Sequence, residues 1–138
     1  MAERTLAILK PDSVAVGKAG AILARLEEEG FRVRGLKRLR LTPEQAREFY
    51  AVHRERPFFE GLVKFMTEGP VVAVALERDD AVAHLRKTMG ATDSRKAESG
   101  TIRSLHGTDV ERNAIHGSDS AENAAREVAF FFSEAELI

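Results

Sequence analysis

The chain contains no cysteine, which excludes disulfides and thiolate-ligated metals. Its longest apolar run, Val71 to Leu76, is far shorter than the roughly 20 residues of a membrane-spanning helix. An excess of charge of either sign is also missing. The 21 basic and 22 acidic residues leave a net charge of −1, so there is no bulk attraction to nucleic acid or anionic lipid. Met1-Ala2-Glu3-Arg4 runs directly into a strand-like segment without the features of a secretion signal, and the expected compartment is the cytoplasm. No repeat, linker or low-complexity stretch interrupts the chain. The familiar nucleotide motifs G-x-x-x-x-G-K-[ST] and G-x-G-x-x-G do not occur. His53, His84, His106 and His116 have no local zinc-ligand spacing, and no metal site made by the protein alone is expected.

What is present is an ordinary globular composition: 138 residues, 43% hydrophobic and 31% charged, enough for one core and too short for two. A single domain over 1–138 is expected. Arg4 to Lys10 reads as a first strand, ended by Pro11. Ala19 to Glu29 carries a helical stripe of Ile22, Leu23 and Leu26, with Gly30 suited to the left-handed residue beyond it. Phe31 to Leu41 alternates: Phe31, Val33, Leu39 and Leu41 on one face, arginines on the other. Thr42-Pro43-Glu44-Gln45 starts a helix through a capping box, predicted to run to about Arg54. A second helical piece follows from about Phe59 to Thr67.

Gly69-Pro70 resets the chain into the strand Val71 to Leu76. Asp79 or Asp80 is then expected to cap a helix ending near Thr88, with Gly90 beyond. Ala91 to Arg112 has no sustained period and reads as a long functional loop with one helical turn. Asn113 to His116 is a short strand, and Ser120 caps a last helix to about Phe131. This order predicts a ferredoxin-like α/β sandwich, βαββαβ, with four antiparallel strands and an inserted helical hairpin.

Taken alone, His116 has a bland reading, as a structural or surface residue, beside a functional one. Its surroundings favour function. Gly117 lets backbone approach a ligand, and Ser118 and Asp119 are short polar partners. Glu127, on the following helix, either folds back to hold the ring or decorates a solvated face. An imidazole nucleophile needs one free nitrogen and one held in a hydrogen bond. Transfer of a phosphoryl group also needs cations, and Lys10, Arg86 and Arg103 are candidates. The stripe Arg32, Arg34, Lys37, Arg38 and Arg40 admits a nucleic-acid face, but without interleaved aromatics a solvated or subunit-facing surface is the stronger reading.

Several segments together resemble nucleoside diphosphate kinases across essentially the whole chain. They are Thr5 to Asp12, Phe49 to His53, Arg56 to Phe59, Gly69 to Val72, Met89 to Thr92, Gly100 to Arg103 and Asn113 to Ser120. The resemblance implies transfer of a γ-phosphoryl group from a nucleoside triphosphate to a diphosphate, by a ping-pong route through phosphorylated His116. Glu127 would orient the ring and Ser118 would support it. Lys10, Tyr50, Arg86, Thr92, Arg103 and Asn113 would bind phosphates or sugar hydroxyls. Phe58, Leu62 and Val110 would hold the base between apolar surfaces without reading its edge.

Mg2+ would ride mainly on the nucleotide phosphates, with no dedicated protein ligands. The implied assembly is a homo-oligomer of dimers, a tetramer or hexamer. A runner-up is an inert nucleotide-binding module of the same fold. Departures from the family pattern cluster in the long loop. Asp93-Ser94 stands where Asn-Pro is common, Ser99 where proline is common, and Leu105-His106 where an acidic residue precedes an aromatic. They bear on loop restraint, affinity and assembly rather than on the residues assigned to chemistry.

Overall fold

The computed structural model describes residues 2–138. Four strands, β1 (Ala2–Leu9), β2 (Arg32–Leu39), β3 (Val71–Asp79) and β4 (Ile115–Gly117), form one sheet in the order β2-β3-β1-β4. All three pairings are antiparallel. Helices α1 (Pro11–Ala15) and α2 (Ala19–Glu28) follow β1, and α3 (Pro43–Phe49) and α4 (Phe59–Met66) follow β2. After β3 come α5 (Ala81–Met89), α6 (Ile102–His106) and, beyond β4, α7 (Ala121–Phe131). This is the ferredoxin-like α+β plan expected from the sequence.

The two central strands explain the rest. In β1, Leu6 and Ile8 join one core while Ala7 and Leu9 join the other. In β3, Val71, Ala73 and Ala75 alternate in the same way with Val72, Val74 and Leu76. A strand buried on both faces reads as a continuous apolar run, because the period-2 alternation divides the run between two cores. One core takes Ile22 and Leu26 of α2 and Leu85 and Met89 of α5. The other takes the inserted α3–α4 pair and α7, through Phe49, Val63, Met66, Val128 and Phe131. Each fully buried side chain of this size contributes about 1.5–3 kcal/mol.

Local chemistry sets most boundaries. Thr42 Oγ1 accepts from the Gln45 N–H, and the Gln45 side chain accepts from the Thr42 N–H, so the expected capping box forms. Ser120 likewise caps α7 by accepting from the Asn123 N–H. Gly30, beyond the end of α2, and Gly90, at the C-cap of α5, have φ of +88° and +90°, a positive range that glycine adopts without strain.

Several expectations need correction. Lys10 does not extend β1; it precedes α1, a short helix whose Pro11 sits at the first turn and which the sequence reading missed. The helix from Thr42 stops at Phe49 rather than Arg54, giving way to a 3-10 turn at Ala51–His53. Strand β3 continues three residues past Leu76 to Asp79. Asp80 stands at the N-cap of α5 but is left-handed and makes no side-chain cap bond; the Glu3 carboxylate accepts from the Val82 N–H instead.

The single-face reading of β2 fails as well. A bulge between Val33 and Gly35 shifts the register, and one extra residue exchanges the two faces. Phe31 and Val33 therefore pack in the core of α2 and α5, while Leu39 and Leu41 pack in the other. Beside the bulge, a Cβ on Gly35 would lie 2.9 Å from the Phe132 ring. The basic stripe is partly engaged within the chain. Arg34 pairs with Glu77 at 2.8 Å, Lys37 with Glu136 at 2.9 Å, and Arg40 donates to the Thr67 and Glu68 carbonyls.

Candidate active site

The pleat of β4 decides where His116 points. Ile115 enters the α2–α5 core, so the next side chain turns to the opposite face, toward α3 and α7. There the imidazole meets Phe49 and Tyr50 edge-on, with ring centroids at 5.4 and 5.9 Å. On α7, Ala124, Glu127, Val128 and Phe131 form the buried stripe. Glu127 is thus delivered inward by helical spacing, and the solvated-face reading is excluded.

Glu127 Oε1 lies 2.8 Å from His116 Nε2 and also accepts from Ser118 Oγ at 2.8 Å. Burial pushes this carboxylate up, but the bonds from His116 and Ser118 and the charge of Arg126 hold it below its ordinary range. It is an ionised acceptor, so Nε2 carries the proton and the lone pair of the neutral ring resides on Nδ1. Burial also pulls His116 below its usual value, against the upward effect of Glu127. The ring is therefore kept neutral and oriented.

Three cations border the same space. Lys10 is buried, with its ammonium donating to Asn113 Oδ1 at 2.7 Å. Desolvation, then repulsion from Arg103, brings it down to about 8. Arg103 is buried and donates to the Ile115 and Gly90 carbonyls at 2.8 and 3.2 Å. Burial, then Arg86, lowers it to about 10. Arg86 extends from the last turn of α5 to the Gly117 carbonyl at 3.2 Å. Mutually repelling cations in a partly dehydrated site are favourable only if an anion completes them.

The cavity encloses about 490 Å³, a size suited to one small-molecule ligand. Lys10, Tyr50, Phe58, Leu62, Arg86, Thr92, Arg103, Val110, Asn113, His116 and Glu127 all line it. Ser118 does not; it is fully buried behind Glu127. Phe58 and Val110, both about half exposed, flank the mouth. Tyr50 is buried with its hydroxyl lacking a partner. Burial and then Glu127 push its pKa upward, leaving a phenol able to donate. Asn113 also ties the long loop to the site, donating to the Thr92 and Val110 carbonyls at 2.8 and 3.1 Å.

Other lining residues were not singled out from the sequence: Phe49, His53, Glu111, Asn123 and Arg126. Their signal was proximity. Phe49 and His53 flank Tyr50, while Asn123 and Arg126 share α7 with Glu127. Gly117 also lines the cavity, and its lack of a side chain serves a second purpose. A Cβ there would lie 2.5 Å from Met89 Sδ and 3.0 Å from Leu85, so the glycine is needed for packing against α5.

A family model described as nucleoside diphosphate kinase matches residues 3–137. Among curated relatives, the nucleoside diphosphate kinase of Acidiphilium cryptum is 57% identical over 99% of this chain and 97% of its own length. That of Sorangium cellulosum is 55% identical over 98% and 94%. The solved nucleoside diphosphate kinase of Aquifex aeolicus superposes with a TM-score of 0.97 at 52% identity, covering all of both chains. A halophilic homologue from Halobacterium salinarum, solved in complex with CDP, gives 0.96 at 46% identity, over 100% of this chain and 92% of its own.

Proposed function

Since the chain belongs to the nucleoside diphosphate kinase family and has that family's phosphotransferase activity, we propose that His116 Nδ1 is the atom that carries the phosphoryl group between nucleotides. The observation that supports this is the single hydrogen-bonded line Ser118–Glu127–His116, which faces three cations across one cavity. A cavity that seats one nucleotide at a time calls for a covalent intermediate, and hence for a ping-pong order.

In the first half-reaction the Nδ1 lone pair forms a bond to the γ-phosphorus. The bond to the bridging oxygen breaks, and the diphosphate leaves with its electron pair. The ring becomes a phosphorylated imidazolium, whose positive charge Glu127 balances through the Nε2–H bond. Lys10, Arg86 and Arg103 oppose the negative charge spread over the transferring oxygens, and the Tyr50 hydroxyl adds a donor. A second diphosphate then reverses these steps. Phe58, Leu62 and Val110 hold the base through its apolar faces, Thr92 and Asn113 contact the phosphates or sugar, and base tolerance follows.

The family's kinases require a divalent metal, and we take it to be Mg2+. No group of three or more histidine or acidic side chains able to cage an ion occurs among the described residues. The carboxylates at the cavity, Asp119 and Glu111 among them, suit a cation brought in on nucleotide phosphates. When bound, the ion neutralises phosphate charge. We further take the working form to be one domain in a homo-oligomer built from dimers, in line with exposed Leu36 on edge strand β2 and exposed Leu105 on α6. No described helix is long and apolar enough to cross a membrane; the cytoplasm as its compartment belongs to the same reading.

The test is incubation with γ-labelled ATP and magnesium. An acid-labile, base-stable label is expected on the wild type and absent from His116→Ala. Label retained by His116→Ala would refute the nucleophile assignment, and an unlabelled wild type would favour an inert module.

A further inference from the structure

Between Asn113 and His116 the backbone does something unusual. Ala114, fully buried, has φ +74°, and the Ile115 N–H donates to the Asn113 carbonyl at 2.9 Å. This is a three-residue turn with a left-handed centre, a rare and strained conformation for a residue with a Cβ. Such strain persists only where the surroundings impose it. Here they do, and the hydrogen bonds to the Ala114 N–H and carbonyl all come from one segment, residues 10–13. Ala114 N–H donates to Asp12 Oδ2 at 3.1 Å. Its carbonyl accepts from Lys10 N–H at 2.9 Å and from Ser13 Oγ at 2.8 Å.

The turn sets two functional side chains. Asn113, before it, receives the Lys10 ammonium and anchors the long loop through the Thr92 and Val110 carbonyls. Ile115, after it, pairs with Leu9 and supplies the carbonyl that holds Arg103, so that His116 enters the sheet opposite Ile8. A relaxed Ala114 would redirect the chain on both sides and so displace Asn113 and His116, which line the cavity.

We propose that Asp12 is a positioning residue for phosphoryl transfer: its carboxylate locks the strained turn at Ala114 and thereby aims His116 and Asn113 at the same ligand. Asp12 itself lines no part of the cavity and acts through the Ala114 amide. Its role is that of an acceptor, and its negative charge is secondary. The inference rests on His116 being the nucleophile.

Single-turnover labelling of His116 by γ-labelled ATP, at a temperature well below unfolding, separates the cases. Loss of the latch is a sub-ångström to ångström misplacement, so Asp12→Ala should slow labelling about 10- to 100-fold. Asp12→Asn, which keeps a side-chain carbonyl without the charge, should recover most of that loss. Adding Ala114→Gly to Asp12→Ala should also restore much of the rate, because glycine holds a positive φ without strain. A merely structural role would not behave so, since the glycine deletes a buried methyl and lowers stability further.

Asp12→Ala labelled at the wild-type rate would overturn the proposal. So would Asp12→Asn as slow as Asp12→Ala, or a double variant with no recovery. If the wild type acquires no phosphohistidine, the nucleophile assignment falls and this inference with it. A labelled wild type with no Asp12–Ala114 coupling removes the positioning role alone.

Discussion

Two walls of one cavity are built in different ways. The first stands on the sheet and α7: Lys10 beside the end of β1, His116 on β4 and Glu127 on the buried stripe of α7. Its key polar atoms are paired at 2.7–2.8 Å, from Lys10 to Asn113 and along Ser118–Glu127–His116. The second is the segment from Ala91 to Arg112, with a 3-10 turn at Ser94–Lys96, the five-residue α6 and irregular chain between them. Ser94 Oγ, Arg103 Nε and His106 Nδ1 there are buried without partners.

The first wall is held by strand pairing and core burial on both faces of the sheet. The second pairs with no strand and is held by turn and cap bonds, such as the Ser94 N–H to Asp109 carbonyl contact at 3.2 Å, and by the Asn113 amide donating to Thr92. On the proposed mechanism, the nucleophile His116 and the Glu127 carboxylate that orients it both sit on the rigid wall. Thr92, Arg103 and Val110 line the cavity from the looser wall, whereas Phe58 and Leu62 reach it from α4 and its N-cap and belong to neither wall.

The contrast breaks most visibly at Glu127. Glu127→Ala should lower the rate of His116 phosphorylation by about 10²-fold while nucleotide affinity changes little. A large loss of affinity with normal turnover would mean that the carboxylate serves binding and that the walls are not divided as described.

A pH profile is the next largest effect. His116 is held below the usual ~6.5 by burial, so the neutral, attacking ring is retained at neutral pH and lost only as pH falls below that range. On the alkaline side Lys10 loses its proton near 8, and phosphate loses a cation as pH rises. The value of kcat/KM should decline above about pH 8, at most about tenfold per pH unit. A profile flat to pH 10 would remove Lys10 from phosphate binding.

The smallest effect belongs to the looser wall. Thr101 N–H bonds to the Glu98 carbonyl at 3.2 Å and Gly100 has φ +89°, a turn that favours proline at Ser99. Ser99→Pro should stabilise the fold by about 0.4–1 kcal/mol by restricting the unfolded chain, read as a higher urea midpoint at unchanged slope. A lower midpoint would show that the loop needs its freedom at this position. Position 94 differs from 99: a proline there would forfeit the Ser94 N–H bond to Asp109.

Much of the rigid wall was legible in the sequence because its signals are local. The Asn113–Ser120 signature, the helical spacing of Glu127 and the Ser120 cap all sit within fifteen residues. The looser wall was legible only as a gap in periodicity. Its order depends on contacts such as Thr101 against Gly90, where a Cβ would lie 2.5 Å from Oγ1. The bulge in β2 was hidden for a related reason. Bulges follow from pairing with β3, and alternation read along one strand assumes there are none.

By itself the sequence determined most of the strand and helix order, the family and most of the side chains that converge on the cavity. These follow from periodicity, capping chemistry and a specific motif, each written in consecutive residues. Tertiary structure alone decided that Lys10 meets Asn113 across 103 positions and that buried Lys10 and Arg103 border one cavity with Arg86. It also decided that Ala114 is forced into a left-handed turn by a segment one hundred residues away. Such relations depend on strand register and on side chains sharing one dehydrated volume, quantities that no local stretch of sequence contains.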